Sequence, residues 1–229
     1  MAIRKNNPLG KISGTFGKTV TRIRNGKEVV YVLPGKIKYS KSKAAKAARK
    51  KFALSVSFAK FVNSVPALSA VWSFVKIPGS NSYQKLIKYN VRLTGGDSLT
   101  VNNIITPEGI LLTLKDFSYN NGTFYFSVNT RDNNITDDKL FPAQIYSVLY
   151  FYEPKNKKGK SFLLSLLTLE IEEPPLTQNL EFQLELDSTQ LKYAGYYNKC
   201  IIYLAILFPQ AKNGNLLWSD TIAKEIGLN

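Results

Sequence analysis

Charge is distributed along this chain in a way that restricts which part of it can form a core. Residues 1–60 carry sixteen Lys or Arg and a single acid, Glu28, whereas residues 61–229 hold fifteen basic and fifteen acidic side chains. The whole formal excess of +15 therefore belongs to the first quarter of the 229 residues. Burying unpaired cations is costly, so this quarter must present itself to water or to an anionic partner, with an attraction that weakens as salt rises. The neutral remainder is where the apolar residues, 44% of the chain, can build a core. That content and length argue against disorder and suffice for one large domain or two modest ones.

Within the basic quarter, Thr19 to Arg24 alternates in polarity, Asn25-Gly26 supplies a hairpin turn, Glu28 to Leu33 forms the returning strand, and Pro34-Gly35 closes the unit. The result is a basic β-ribbon bearing Lys18, Arg22, Arg24 and Lys27. Ser40 reads as the N-cap of a helix running to about Asn63, with Ala45, Ala48, Phe52, Val56 and Ala59 marking a packed face. Lys43, Lys46 and Lys50 form a separate basic face, widened by Lys41, Arg49 and Lys51. Cations crowded at a helix start oppose its dipole and repel one another, a cost that an anionic partner would relieve. The candidate binding surface is accordingly Lys18, Arg22, Arg24, Lys27, Lys43, Lys46, Arg49 and Lys50. Apolar residues from Phe58 to Val75, interrupted by Pro66, predict a kinked or paired helix against the body.

Pro78-Gly79 marks a boundary, dividing a basic hairpin and helical region (1–78) from a β-rich, sandwich-like body (79–229). A helical connector is expected from Ser82 to Asn90, then strands near 98–103, 110–117, 123–129, 143–152, 161–170, 180–186 and 199–208. Asn120-Asn121-Gly122 and Asn213-Gly214 read as turns, and 131–139 and 155–160 as exposed loops. The fold class expected is mainly β (α+β overall): an N-terminal β-hairpin and helices followed by a β-sandwich-like body.

The opening Gly10-Lys11-Ile12-Ser13-Gly14-Thr15-Phe16-Gly17-Lys18-Thr19-Val20 resembles the start of an uncharacterised domain family widespread in Bacteroidetes-type bacteria. There a glycine-spaced opening leads to a short hairpin, a Pro-containing turn and a helix with a basic–aromatic element. The matching residues here are Asn25-Gly26-Lys27, Pro34 and Arg49-Lys50-Lys51-Phe52. Asn90, Ile105-Thr106-Pro107-Glu108-Gly109-Ile110, Tyr203-Leu204-Ala205 and Leu217-Trp218-Ser219-Asp220 resemble further landmarks. Arg24-Asn25 stands where the family has an aromatic before the hairpin glycine, and Leu163 to Glu173 replaces its glycine-rich phrase. The resemblance implies a hairpin, a helix and a β-rich body, and brings no activity, ligand or catalytic residue with it.

The chain contains no histidine and one cysteine, Cys200. This removes the commonest general base near neutral pH, every Ser-His-Asp or Cys-His arrangement, thiolate zinc clusters and a Cys-x-x-Cys redox pair. Cys200 opens the apolar run to Phe208 and reads as a buried small hydrophobe. The spacing of Gly10, Gly14 and Gly17 matches neither phosphate-binding fingerprint, and no apolar strand precedes it. Asp132, Asp137 and Asp138 lack the glycine and terminal glutamate of a calcium loop and read as a solvated loop. Glu170, Glu172 and Glu173 read as an acidic strand end able to complement a basic neighbour. No enzyme activity, cofactor or metal is expected.

The function expected is that of a non-enzymatic structural, assembly or protein-interaction protein with a basic N-terminal docking surface. The partner is another protein or a second copy of the chain. The alternative is sequence-independent binding of nucleic acid or another polyanion, with Tyr31 and Tyr39 available to stack on unpaired bases. No apolar run approaches the length of a membrane span. Cytoplasmic residence is the default expectation, and specialised export would leave no legible sign.

Overall fold

The computed structural model describes residues 2–4, 13–24, 26–33, 35, 40–76, 80–130, 142–156, 158–172, 179–211 and 215–228. Two compact units are present, Met1–Ser42 and Lys43–Asn229. The first is an antiparallel sheet in the order β1-β4-β3-β2, built from β1 (Ala2–Arg4), β2 (Gly14–Phe16), β3 (Thr19–Arg24) and β4 (Lys27–Val32). The hairpin read from the sequence pairs β3 with β4 from Thr19↔Val32 to Arg24↔Lys27. Gly26 turns it at φ 74°, a left-handed conformation that favours glycine. Two further strands flank the ribbon, which makes it a small sheet.

The second unit has three layers. Its middle layer is a five-stranded sheet in which β10 (Tyr197–Ala211) lies beside β7 (Ala143–Pro154), and β7 beside β8 (Phe162–Ile171). The other edge of β10 is shared in tandem by β12 (Ile222–Gly227) and β11 (Asn215–Trp218). A three-stranded sheet, β5 (Leu112–Asn120), β6 (Thr123–Thr130) and β9 (Leu180–Glu185), forms one outer layer. Helices α1 (Lys43–Ser64), α2 (Pro66–Phe74) and α3 (Ser82–Leu93) form the other.

Strand periodicity explains the layering. Along β10, Cys200, Ile202, Leu204 and Ile206 join Phe124, Phe126 and Leu184 of the smaller sheet in one core. The intervening Ile201, Tyr203, Ala205 and Leu207 join Phe58, Leu68 and Trp72 of the helices in a second. Side chains alternate across a strand, so a strand covered on both faces must be apolar at every position. The mainly β, α+β class stands. The body is a sheet pair with its second face covered by helices, and those helices share a core with β7 and β10. The two compact units divide between Ser42 and Lys43.

Several local expectations shift. The axis of α1 turns through 104° into α2, with Pro66 at the start of the second helix, where its missing N–H costs nothing. The buried face of α1 is Leu54, Ser55, Phe58, Ala59 and Val62, which shares only Ala59 with the expected stripe. At 100° per residue the real face is rotated by about one position, and Phe52 is left 52% exposed. Residues 98–103 form a turn instead of a strand. A helix absent from the sequence reading, α4 (Ser188–Tyr196), begins with a capping box. Asp187 Oδ1 accepts from the Gln190 N–H at 2.8 Å, and the Asp187 N–H donates to Gln190 Oε1 at 2.9 Å. The Asn120-Asn121-Gly122 turn links β5 to β6 as expected, with φ of 47° and 85° at its last two residues. The 131–139 loop and Asn213-Gly214 lie outside the described residues. Among the described residues, no single helix is long and apolar enough to cross a membrane.

Candidate docking surfaces

In the N-terminal sheet, Lys18, Arg22 and Lys27 are exposed. The Arg22 guanidinium lies 6.0 Å from the Tyr31 ring centroid, and the Lys18 carbonyl accepts from the Leu33 N–H at 2.6 Å. Arg24 sits opposite Lys27 in register; its side chain and Tyr39 lie outside the described residues. The cations share their small sheet with bare apolar side chains, Phe16 at 91% exposure, Val32 at 66%, and Ile23 and Leu33.

On α1, Lys43, Lys46, Arg49 and Lys50 are all exposed. At 100° per residue they fall within one arc of about 120°, directed away from the buried face. No acid lies in the first turn, and Lys50 Nζ is 2.8 Å from Asp97 Oδ1 at the surface. Ser40 lies outside the helix, where its hydroxyl accepts from the Ser42 N–H at 3.3 Å. The eight expected basic residues therefore divide into two groups, one on each compact unit.

The other sequence candidates separate. Glu170 and Glu172 are exposed at the end of β8, while Glu173, Asp132, Asp137 and Asp138 lie outside the described residues. Among the described residues no group of His, Cys, Asp or Glu could hold a metal ion. Cys200 is buried, and loss of solvation pushes its thiol well above the ordinary range. Burial likewise raises Tyr150 to about 12 and lifts Tyr203, whose hydroxyl donates to the Thr100 carbonyl at 2.7 Å.

Two landmarks from the sequence prove to be architectural. Asn90 is fully buried: its Oδ1 accepts from the Ile104 N–H at 2.9 Å and from Asn103 Nδ2 at 3.0 Å, and its Nδ2 donates to the Ile104 carbonyl at 2.9 Å. Thr94 Oγ1 joins this network, accepting from Ser55 Oγ at 2.9 Å and Asn103 Nδ2 at 3.0 Å. Segment 105–110 is clasped to 218–221. Thr221 Oγ1 accepts from the Ile105 and Thr106 N–H groups at 2.9 and 3.0 Å, and Asp220 Oδ1 from the Gly109 N–H at 2.7 Å. A Cβ at Gly109 would collide with the Trp218 carbonyl oxygen.

Two concavities were not anticipated. On the outer face of the smaller sheet, Asp116, Ser118, Tyr125, Glu181 and Gln183 line a hollow of about 440 Å³. A register shift between Leu114 and Asp116 turns Asp116 to this face while Leu114 and Phe117 pack inward. A second cleft, also about 440 Å³, lies between the β7–β8 connection and the end of α4. Both need strands or a helix far apart in sequence, so no local motif announces them. No family model, curated protein or solved structure matches the chain.

Proposed function

We propose that the protein is a non-enzymatic assembly protein whose basic N-terminal sheet docks on an acidic protein surface, including that of a second copy. The observation that carries this reading is the composition of the small sheet. By strand register it carries exposed Arg22 and Lys27 on one face and the bare side chains of Phe16, Ile23 and Val32 on the other, with Lys18 and Leu33 at one end. Apolar area supplies affinity when it leaves water, and cations on the reverse face and at the strand end favour an acidic partner and speed encounter. A surface made only for phosphates has no use for Phe16 and Val32, since phosphate contacts come from cations and polar groups. The body offers acidic counterparts in Glu170 and Glu172 and in the Asp116–Glu181 hollow.

The test is light scattering over a concentration and salt series, alongside titration with a generic duplex and single-stranded oligonucleotides. We expect self-association that the joint substitution Phe16→Ser, Arg22→Ala, Lys27→Ala abolishes, with no micromolar duplex binding. A monomer that binds duplex at micromolar concentration with a steep salt slope would overturn the assembly reading in favour of sequence-independent nucleic-acid binding.

A further inference from the structure

The second cleft carries a ligand inference independent of the basic sheet. Its volume of about 440 Å³ lies within the range of roughly 300–1,000 Å³ usual for small-ligand sites. Its lining combines aromatic and apolar side chains, Tyr193, Tyr196, Tyr197 and Leu163, with two lysines, Lys155 and Lys160. No acidic side chain lines the cleft, and among the described residues neither lysine forms an ion pair.

The walls are pinned to one another before any ligand arrives. The Lys155 N–H donates to the Tyr196 carbonyl at 3.0 Å, and the Tyr197 hydroxyl donates to the Lys160 carbonyl at 3.1 Å. Tyr193 and Tyr197 both rest against the core ring of Phe151, each with centroids 6.2 Å apart. Tyr196, by contrast, is 62% exposed although it sits in the cleft wall. A fixed aromatic wall with one bare ring offers a stacking face for a flat molecule, and site rigidity lowers the ordering cost of binding. The two lysines in the same lining favour a negative charge on that molecule.

We propose that this cleft binds a flat heterocyclic ring carrying an anionic group, of the nucleoside monophosphate class. The ring lies against Tyr196 and the phosphate is held by Lys155 and Lys160. A free nucleotide and the phosphorylated end of a strand share this chemistry.

The full chain is titrated by calorimetry with adenosine monophosphate, adenosine, inorganic phosphate and a short oligonucleotide bearing a terminal phosphate. Adenosine monophosphate should saturate the protein, while adenosine and phosphate each bind about tenfold or more weaker, because each retains half of the contacts. Tyr196→Ala and Lys160→Gln should each lower affinity about tenfold with unchanged circular dichroism, and Tyr196→Phe should retain it. Stronger binding of the oligonucleotide than of the mononucleotide assigns the site to strand ends; the reverse assigns it to free nucleotide. Failure of both to saturate at millimolar concentration, or equal binding by the parent and Tyr196→Ala, overturns the proposal. Neither result bears on self-association through the basic sheet, whose residues lie outside the cleft.

Discussion

In the N-terminal sheet the strands run three to six residues, and Val20, Glu28 and Val29 are the only buried residues among those described. In the central sheet β7 and β10 run twelve and fifteen residues and bury side chains on both faces. The hydrogen-bonding pattern is antiparallel in both. The difference is what covers them: the central strands sit between two apolar layers, while the small sheet keeps Phe16, Ile23 and Val32 at its surface. Backbone pairing alone contributes little net stability, so a sheet with so few buried side chains is weakly held by its own contacts. One sheet is interior to its unit, and the other keeps apolar side chains at its surface.

Native-state hydrogen exchange gives the widest test of that contrast. Amides of Ile201 to Leu204 should exchange only through global unfolding, and those of Thr19 to Ile23 through local opening at least about a hundredfold faster. Equal protection would erase the distinction. A smaller effect probes the helix layer. Trp72 is fully buried, and its Nε1–H donates to the Ile105 carbonyl at 2.8 Å. Trp72→Ala should lower the unfolding free energy by ~3–5 kcal/mol in urea titration, and a loss below ~1 kcal/mol would make the helices peripheral to the sheet they cover. The smallest effect sharpens the picture of the central sheet itself. Ser147, on β7, is fully buried, and its hydroxyl has no hydrogen-bond partner among the described residues. Ser147→Ala should be neutral or stabilising by up to about 1 kcal/mol, read from the same titrations, because it removes a stranded polar group; a clear loss of stability would show that the hydroxyl is satisfied.

Much of the body was legible because its strands are bounded by turn residues. Asn120-Asn121-Gly122 and the runs 143–152 and 199–208 place β5–β6, β7 and β10 correctly. The nearly continuous apolar character of those two runs, broken only by Gln144, Ser147 and Lys199, also pointed to burial on both faces, and so to a third layer. Reading them simply as strands of a sandwich-like body left that signal unused. Residues 98–103 looked like a strand because Leu99 and Val101 alternate with polar residues, yet Asn103 is spent on satisfying Thr94 and Asn90. Helix α4 had a readable start in the capping box of Asp187 and Gln190. On α1 the small residues Ala45, Ala48 and Ala59 imitated a packed stripe, and tertiary contacts chose the adjacent one. The paired basic groups were visible as charge, but their partition between two compact units depends on which helices share a core with β10. The tyrosine cleft was not legible at all, since Lys155 and Tyr196 meet only through the β7–β10 register.

The sharing of one core by α1, α2 and β10 also sets an order of events in time. On a ribosome, Phe58, Leu68 and Trp72 appear more than a hundred residues before Tyr203 and Leu207, against which they pack. At synthesis rates of about 5–20 residues per second, that interval is on the order of ten seconds. Throughout it the apolar faces of the helices have no sheet to cover them, while the lysines of α1 are already present beside them. A nascent chain in this state has the character of a chaperone client, and the like charges at its basic end would help keep neighbouring nascent chains apart until the last strands arrive.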